Sequence, residues 1–163
     1  MHEALTILLP VKDRPGFTIR CLRYLSNIKC KYRVIIADGS KSEVTKNSLE
    51  KEKFSDLEYC YIRFPPDLSY TDFLVKMSKA AGMINTRYVY WACDDDFINF
   101  ECIDDGLNFL DANVRHVMFT GQVINFEIPH SARVKKHIGE ISIGDNIYSM
   151  PYSIEQDSAV TRL

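Results

Sequence analysis

The stretch YVYWACDDDF, residues 88–97, is an apolar and aromatic run that stops abruptly on three consecutive carboxylates, Asp94, Asp95 and Asp96. RYVYWAC (87–93) reads as a strand, and it delivers the three acids at its end. The acids that follow repel one another at neutral pH. Aspartate is favoured in turns and at helix caps, so a solvated turn is the plainest account of the three acids taken alone. The segments on either side argue for more.

Upstream, residues 70–84 read as an amphipathic helix with Phe73, Met77, Ala80, Ala81 and Ile84 on one stripe. Before it, LEYCYI (57–62) reads as a strand, and FPPDLS then breaks the chain. Residues 41–53 are polar and rich in Lys and Glu, which predicts a short solvent-facing helix. YRVIIAD (32–38) is a buried strand ending on Asp38, with a turn at Gly39-Ser40. LTILLPV (5–11) is another, followed by KDRPG and a helical pattern through Phe17, Cys21, Leu25 and Ile28. Pro15 fits that helix's first turn. Downstream, Ile103, Leu107 and Leu110 mark a helix, HVMFTGQVINF (116–126) has strand character, and no elements are assigned in 127–163. Strands alternating with helices imply right-handed crossovers and an α/β, doubly wound, mostly parallel sheet with helices on both faces.

The chain has 163 residues, 46% hydrophobic and 12% aromatic, with a formal net charge of −2. That is one soluble globular domain with a real core and no nucleic-acid-coating surface. No apolar run reaches the ~20 residues of a membrane span, and the N-terminus lacks a secretory leader, so a cytoplasmic location is expected. The five cysteines form no CxxC pair and the four histidines no HxxxH, which argues against zinc and for reduced thiols.

In open parallel sheets, ligands bind beyond the carboxyl ends of the strands. Pro10–Arg14, Asp38-Gly39-Ser40 and Asp94–Asp96 all fall on that edge. Hard cations such as Mg²⁺ or Mn²⁺ take carboxylate and phosphate oxygens, which would give the acidic run a purpose. In an extended chain Asp94 and Asp96 share one side, a metal pair, and Asp95 takes the other. No GxGxxG and no GxxxxGK[ST] is present, so a glycine-built phosphate cradle is excluded.

The order TILLPVKDRPGFTIRCLRYL, VIIADGS, YVYWACDDDFI resembles a family 2-type glycosyltransferase of the GT-A fold. CDDDFINFECIDDGLNFLDAN is similar to a bacterial branch of it. The resemblance covers about residues 4–125. It implies a nucleotide-sugar-binding domain over 1–126 and the start of an acceptor-side region over 127–163, with the chain part of a longer protein. It implies a nucleoside-diphosphate sugar donor, UDP-sugar favoured, an unidentified saccharide or other acceptor, Mn²⁺ or Mg²⁺, and an inverting transfer.

By the resemblance, Pro10, Val11 and Arg14 line the base and ribose pocket, with Gly39 beside them. Asp38 accepts a hydrogen bond from the base, Asp94 and Asp96 form the DXD-type metal pair, and Asp95 adjoins the nucleotide. Many members carry an arginine in the helix before the acidic strand. Here Lys76 and Lys79 stand there, with Lys79 the candidate phosphate contact and a solvated face the plainer reading for both. Glu155 and Asp157 are the candidates for the later acidic, catalytic element, with a solvated loop the plainer reading.

Rival readings are a receiver-like module with a Mg²⁺-binding acidic edge, a sugar-nucleotide-making nucleotidyltransferase, and a catalytically silent binding domain. The first lacks the aspartate it needs after the third strand, which ends in Arg63-Phe64, and the second lacks its glycine-rich loop. The third is left open by the residues, since fold by itself does not license an enzyme.

Overall fold

The structure is a computed structural model that describes residues 4–121, 124–125 and 148–149. The chain divides into two compact units, Met1–Ile98 and Asn99–Leu163.

In the first unit the order is β1 (Leu5–Val11), α1 (Pro15–Asn27), β2 (Arg33–Asp38), α2 (Val44–Leu49), β3 (Tyr59–Arg63), α3 (Tyr70–Ala81) and β4 (Tyr88–Trp91). The four strands form one sheet in the order β3-β2-β1-β4, every pair parallel. β1 and β2 are buried almost throughout, which is why LTILLPV and RVIIAD carry no alternation.

The strand order dictates where the helices go. From β1 the chain steps to β2 and β3 in one direction, then returns past β1 to β4. Right-handed crossovers therefore put α1 and α2 on one face and α3 on the other. Met77 and Ala80 of α3 pack on Leu8, Ile35 and Ala37. Leu9, Val34 and Ile36, at the alternate positions, are buried toward the opposite face. There α1 buries Thr18, Ile19, Cys21, Leu22 and Leu25 and packs with α2. The direction of winding reverses at β1, so the crevice between the carboxyl ends of β1 and β4 is the topological switch point.

α3 begins at that carboxyl edge with a capping box: the Ser69 hydroxyl accepts from the Asp72 amide at 3.2 Å, and the Ser69 amide donates to Asp72 Oδ2 at 2.8 Å. Ser69→Ala is expected to destabilise the chain by about 1 kcal/mol, read as a shifted urea midpoint at unchanged slope.

In the second unit α4 (Phe100–Ala112) is capped by Asn99, whose side chain accepts from the Glu101 amide. Its buried residues are Ile103, Leu107 and Leu110, the stripe expected from the sequence. A Cβ at Gly106 would overlap the Phe119 ring, so glycine is what lets that segment close over the helix. β5 (Ile124–Asn125) and β6 (Tyr148–Ser149) pair antiparallel.

Several boundaries differ from the sequence expectation; the helix expected over 70–84, for one, ends at Ala81. The helix expected over 41–53 is confined to Val44–Leu49, and the third strand starts at Tyr59 rather than residue 57. Among the described residues of the strand expected over 116–126, Ile124–Asn125 are strand, residues 116–121 have no ladder, and Val117 and Met118 are exposed. Apolar residues give strand character, but a strand exists only where another backbone pairs with it.

Candidate functional site

The acidic run does not stay extended. β4 ends at Trp91, the Ala92 amide still donates to the Leu8 carbonyl, and the chain then turns at Asp94-Asp95 with the Asp96 amide 3.4 Å from the Cys93 carbonyl. The turn corrects the expected pairing of Asp94 with Asp96 on one side. Aspartate is at home in such turns.

The turn sends the three acids to different environments. Asp94 is buried, accepts from the Thr18 hydroxyl of α1 at 3.2 Å, and is ion-paired to Arg14 Nη2. Asp95 is exposed and accepts from Arg14 Nη1 at 3.0 Å. Asp96 is exposed. One guanidinium, rooted at the end of β1, thus bridges two carboxylates rooted at the end of β4, across the switch point.

Charges follow suit. Burial raises the Asp94 carboxyl above its usual range despite Arg14 and Thr18, whereas the hydrogen bond from Arg14 lowers that of Asp95. The same bond to Asp95 raises the Arg14 guanidinium. Arg14 also lies over the Phe17 ring at 4.9 Å, and Arg20 at 4.6 Å.

The ligand atoms of Cys93, Asp95 and Asp96 lie within 4.8 Å of one another. Two exposed carboxylates are hard oxygen donors and fit Mg²⁺ or Mn²⁺. Burial, then the charges of Asp96, Asp95 and Asp94, push the Cys93 thiol up, so it stays protonated at neutral pH and adds no hard ligand. Asp94, expected to pair with Asp96, is instead buried and committed to Arg14 and Thr18, which leaves Asp95 and Asp96 as the two exposed carboxylates of the run.

The second strand's end is built differently from expectation. Asp38 is in register with Val11 and on the same carboxyl edge, but it is fully buried. Its Oδ1 accepts from the Ser40 amide at 2.7 Å and its Oδ2 from the Tyr61 hydroxyl at 2.6 Å, with Arg63 Nη1 at 4.0 Å. Burial and the bond to Asp38 push the Tyr61 hydroxyl up to about 12, so it remains a donor. Full burial, with a donor on each carboxylate oxygen, fits a scaffolding role better than the expected one of accepting from a base.

The adjoining loops are tied together. The Asp13 amide donates to Ser40 Oγ at 2.8 Å and the Lys41 amide to Asp13 Oδ1 at 2.9 Å. Asp13 adopts a left-handed backbone with φ 52°, which aspartate tolerates better than most residues. The Gly39 amide donates to the Val11 carbonyl, and the Asp67 amide to the Gly39 carbonyl. A Cβ at Gly39 would overlap the Asp67 carboxylate, so the predicted turn glycine is needed for close approach. Pro10 is half-buried and Val11 buried beneath these loops.

Of the two lysines, Lys79 lies on the solvated face that is the plainer reading, and Lys76 does not. Lys79 is exposed in the last turn of α3, and a helix of that length carries it about 15 Å from the carboxyl edge where α3 starts. Lys76 is buried, 2.5 Å from Asp67 Oδ2 and 5.2 Å from the Phe73 ring centroid. Sequence reading missed this pair, although Lys76 lies one helical turn from Phe73 and Ala80 on the buried stripe. It also missed Thr18, Ser40 and Tyr61, whose roles depend on long-range pairing. Glu155 and Asp157 lie outside the described residues.

No protein-family model and no curated protein matches this sequence. Among solved structures, the chain is similar to the crystal structure of S. aureus TarS 1–349, with TM-score 0.54 and 16% identity over 68% of this chain and 33% of that one. A second S. aureus TarS crystal structure aligns at TM-score 0.47 and 15% identity, over 81% of this chain and 24% of that one. This chain therefore spans about a third of the length of the first. At that identity the likeness speaks to architecture alone, and the architecture is the α/β, parallel-sheet arrangement of the GT-A kind.

Proposed function

We propose that this chain is the nucleotide-sugar-binding part of a glycosyltransferase that moves a sugar from a nucleoside-diphosphate sugar, UDP-sugar favoured, to a saccharide or other acceptor. Residues 1–126 would form that part and 127–163 the start of an acceptor-side region. What supports the reading most is the charge arrangement at the switch point: a half-exposed guanidinium, Arg14, beside two exposed carboxylates, Asp95 and Asp96. A cation and an anion pair side by side at a strand edge can address a diphosphate and its counter-ion together.

Asp95 and Asp96 are the residues that would hold Mg²⁺ or Mn²⁺, which when bound supplies positive charge against the diphosphate leaving group. Arg14 would orient the same diphosphate. The inverting outcome and a cytoplasmic setting belong to the same proposal. No helix among the described residues is long and apolar enough to cross a membrane.

Calorimetric titration of UDP and GDP, with and without Mn²⁺, tests it. Mn²⁺ should tighten diphosphate binding at least tenfold, about 1.4 kcal/mol, and Asp96→Asn should remove that increment while leaving the metal-free protein as stable or more stable. Diphosphate affinity indifferent to metal in the unmutated chain would leave only a fold with an acidic turn.

A further inference from the structure

We propose that Arg14 is an internal counter-cation: in the free protein it occupies Asp95, and a divalent cation and a diphosphate together release it. The inference rests on the reading above and concerns how the two ligands are coupled.

Arg14's two attachments are unequal. Asp94 is 2% exposed, so its pairing with half-exposed Arg14 is screened less than a pair between two exposed groups. Asp95 is 44% exposed and Arg14 46%, so their contact is a surface ion pair of the sort that contributes little and exchanges readily. Asp95 is also the one residue shared between the Arg14 bridge and the Cys93, Asp95, Asp96 group. A carboxylate already accepting from a guanidinium is a poorer ligand, and two cations on one carboxylate repel each other.

A divalent cation alone must therefore displace Arg14 from Asp95 and leave a stranded positive charge beside itself. A diphosphate changes the sign of that situation, because the released Nη1 gains an anionic acceptor. The two ligands should consequently bind cooperatively, and linkage makes the effect reciprocal.

The test is Mn²⁺ alone, titrated calorimetrically and by the resonance of free Mn²⁺, into the full chain and two variants. Arg14→Gln removes the cation. Arg14→Lys keeps a charge for buried Asp94 but cannot fork across two carboxylates, so it protects folding while freeing Asp95. Both variants are expected to bind Mn²⁺ alone about 5–10-fold more tightly than the unmutated chain, and UDP is expected to tighten Mn²⁺ at least tenfold in the unmutated chain and by a smaller factor in the variants. Mn²⁺ affinity in both variants equal to or weaker than the original, including no measurable affinity in any, overturns the inference. Should UDP bind nowhere, the glycosyltransferase reading falls, while the Mn²⁺ comparison still decides the role of Arg14.

Discussion

Lys76→Met is expected to lower the unfolding free energy by about 3–5 kcal/mol, a large part of a domain's whole stability. Lys76 and Asp67 are both at most 3% exposed and lie 2.5 Å apart. Asp67 Oδ1 has no hydrogen-bond partner, so the lysine is the carboxylate's main compensation. Removing Lys76 would leave a buried anion against Gly39, where the backbone cannot retreat without breaking the bonds from the Gly39 amide to Val11 and from the Asp67 amide to Gly39. Breaking one partner is costly, but a neutralised pair need not be, so Asp67→Asn combined with Lys76→Met should recover most of the loss. Urea unfolding of the two variants settles it. A single variant within 1 kcal/mol of the original, flagged by the usual ~1 kcal/mol of a typical substitution, would mean the pair is solvated or relaxed.

Asp38→Ala is expected to cost about 2–3 kcal/mol, because it strands the buried Ser40 amide and the half-buried Tyr61 hydroxyl, a buried donor being worth about 1–3 kcal/mol when orphaned and a half-buried one less. Asp38→Asn should be milder, since its carbonyl oxygen can still serve one of the two. The contrast with a base-reading role is sharp. If the alanine variant melts like the original yet loses nucleotide affinity, Asp38 faces the ligand after all; the buried geometry predicts the reverse.

What could be read from the sequence was what local patterning determines. LTILLPV and RVIIAD are uninterrupted because both faces are covered, and the spacing of Phe73, Met77 and Ala80 follows from one helix face meeting Leu8, Ile35 and Ala37. Placing Asp38 and Asp94–Asp96 on one sheet edge needed only the alternation of strands and helices. The conformation at Asp94-Asp95 was not legible, since three like charges fit a turn or an extended end equally until Arg14 is known to arrive from eighty residues away in sequence. The Lys76–Asp67 pair was half legible. Lys76 occupies a core position by helical period, but a lysine there reads as exposed until its partner is seen, and PPD carries no mark of that partner. Of the strand expected at 116–126, residues 116–121 are not strand, because apolar content says nothing about whether a second backbone is alongside.

The bonds that join Asp13 to Ser40 and Lys41, and Gly39 to Val11 and Asp67, have a consequence for molecular recognition. Connecting segments at a ligand-binding edge commonly lose backbone freedom when the ligand arrives, at about 1–2 kcal/mol per residue fixed. Here three separate connections are fastened to one another by their own amides as the chain folds. A molecule settling on this edge would meet a surface whose shape is already chosen, and its contacts could go toward discriminating among candidates instead of quieting the protein.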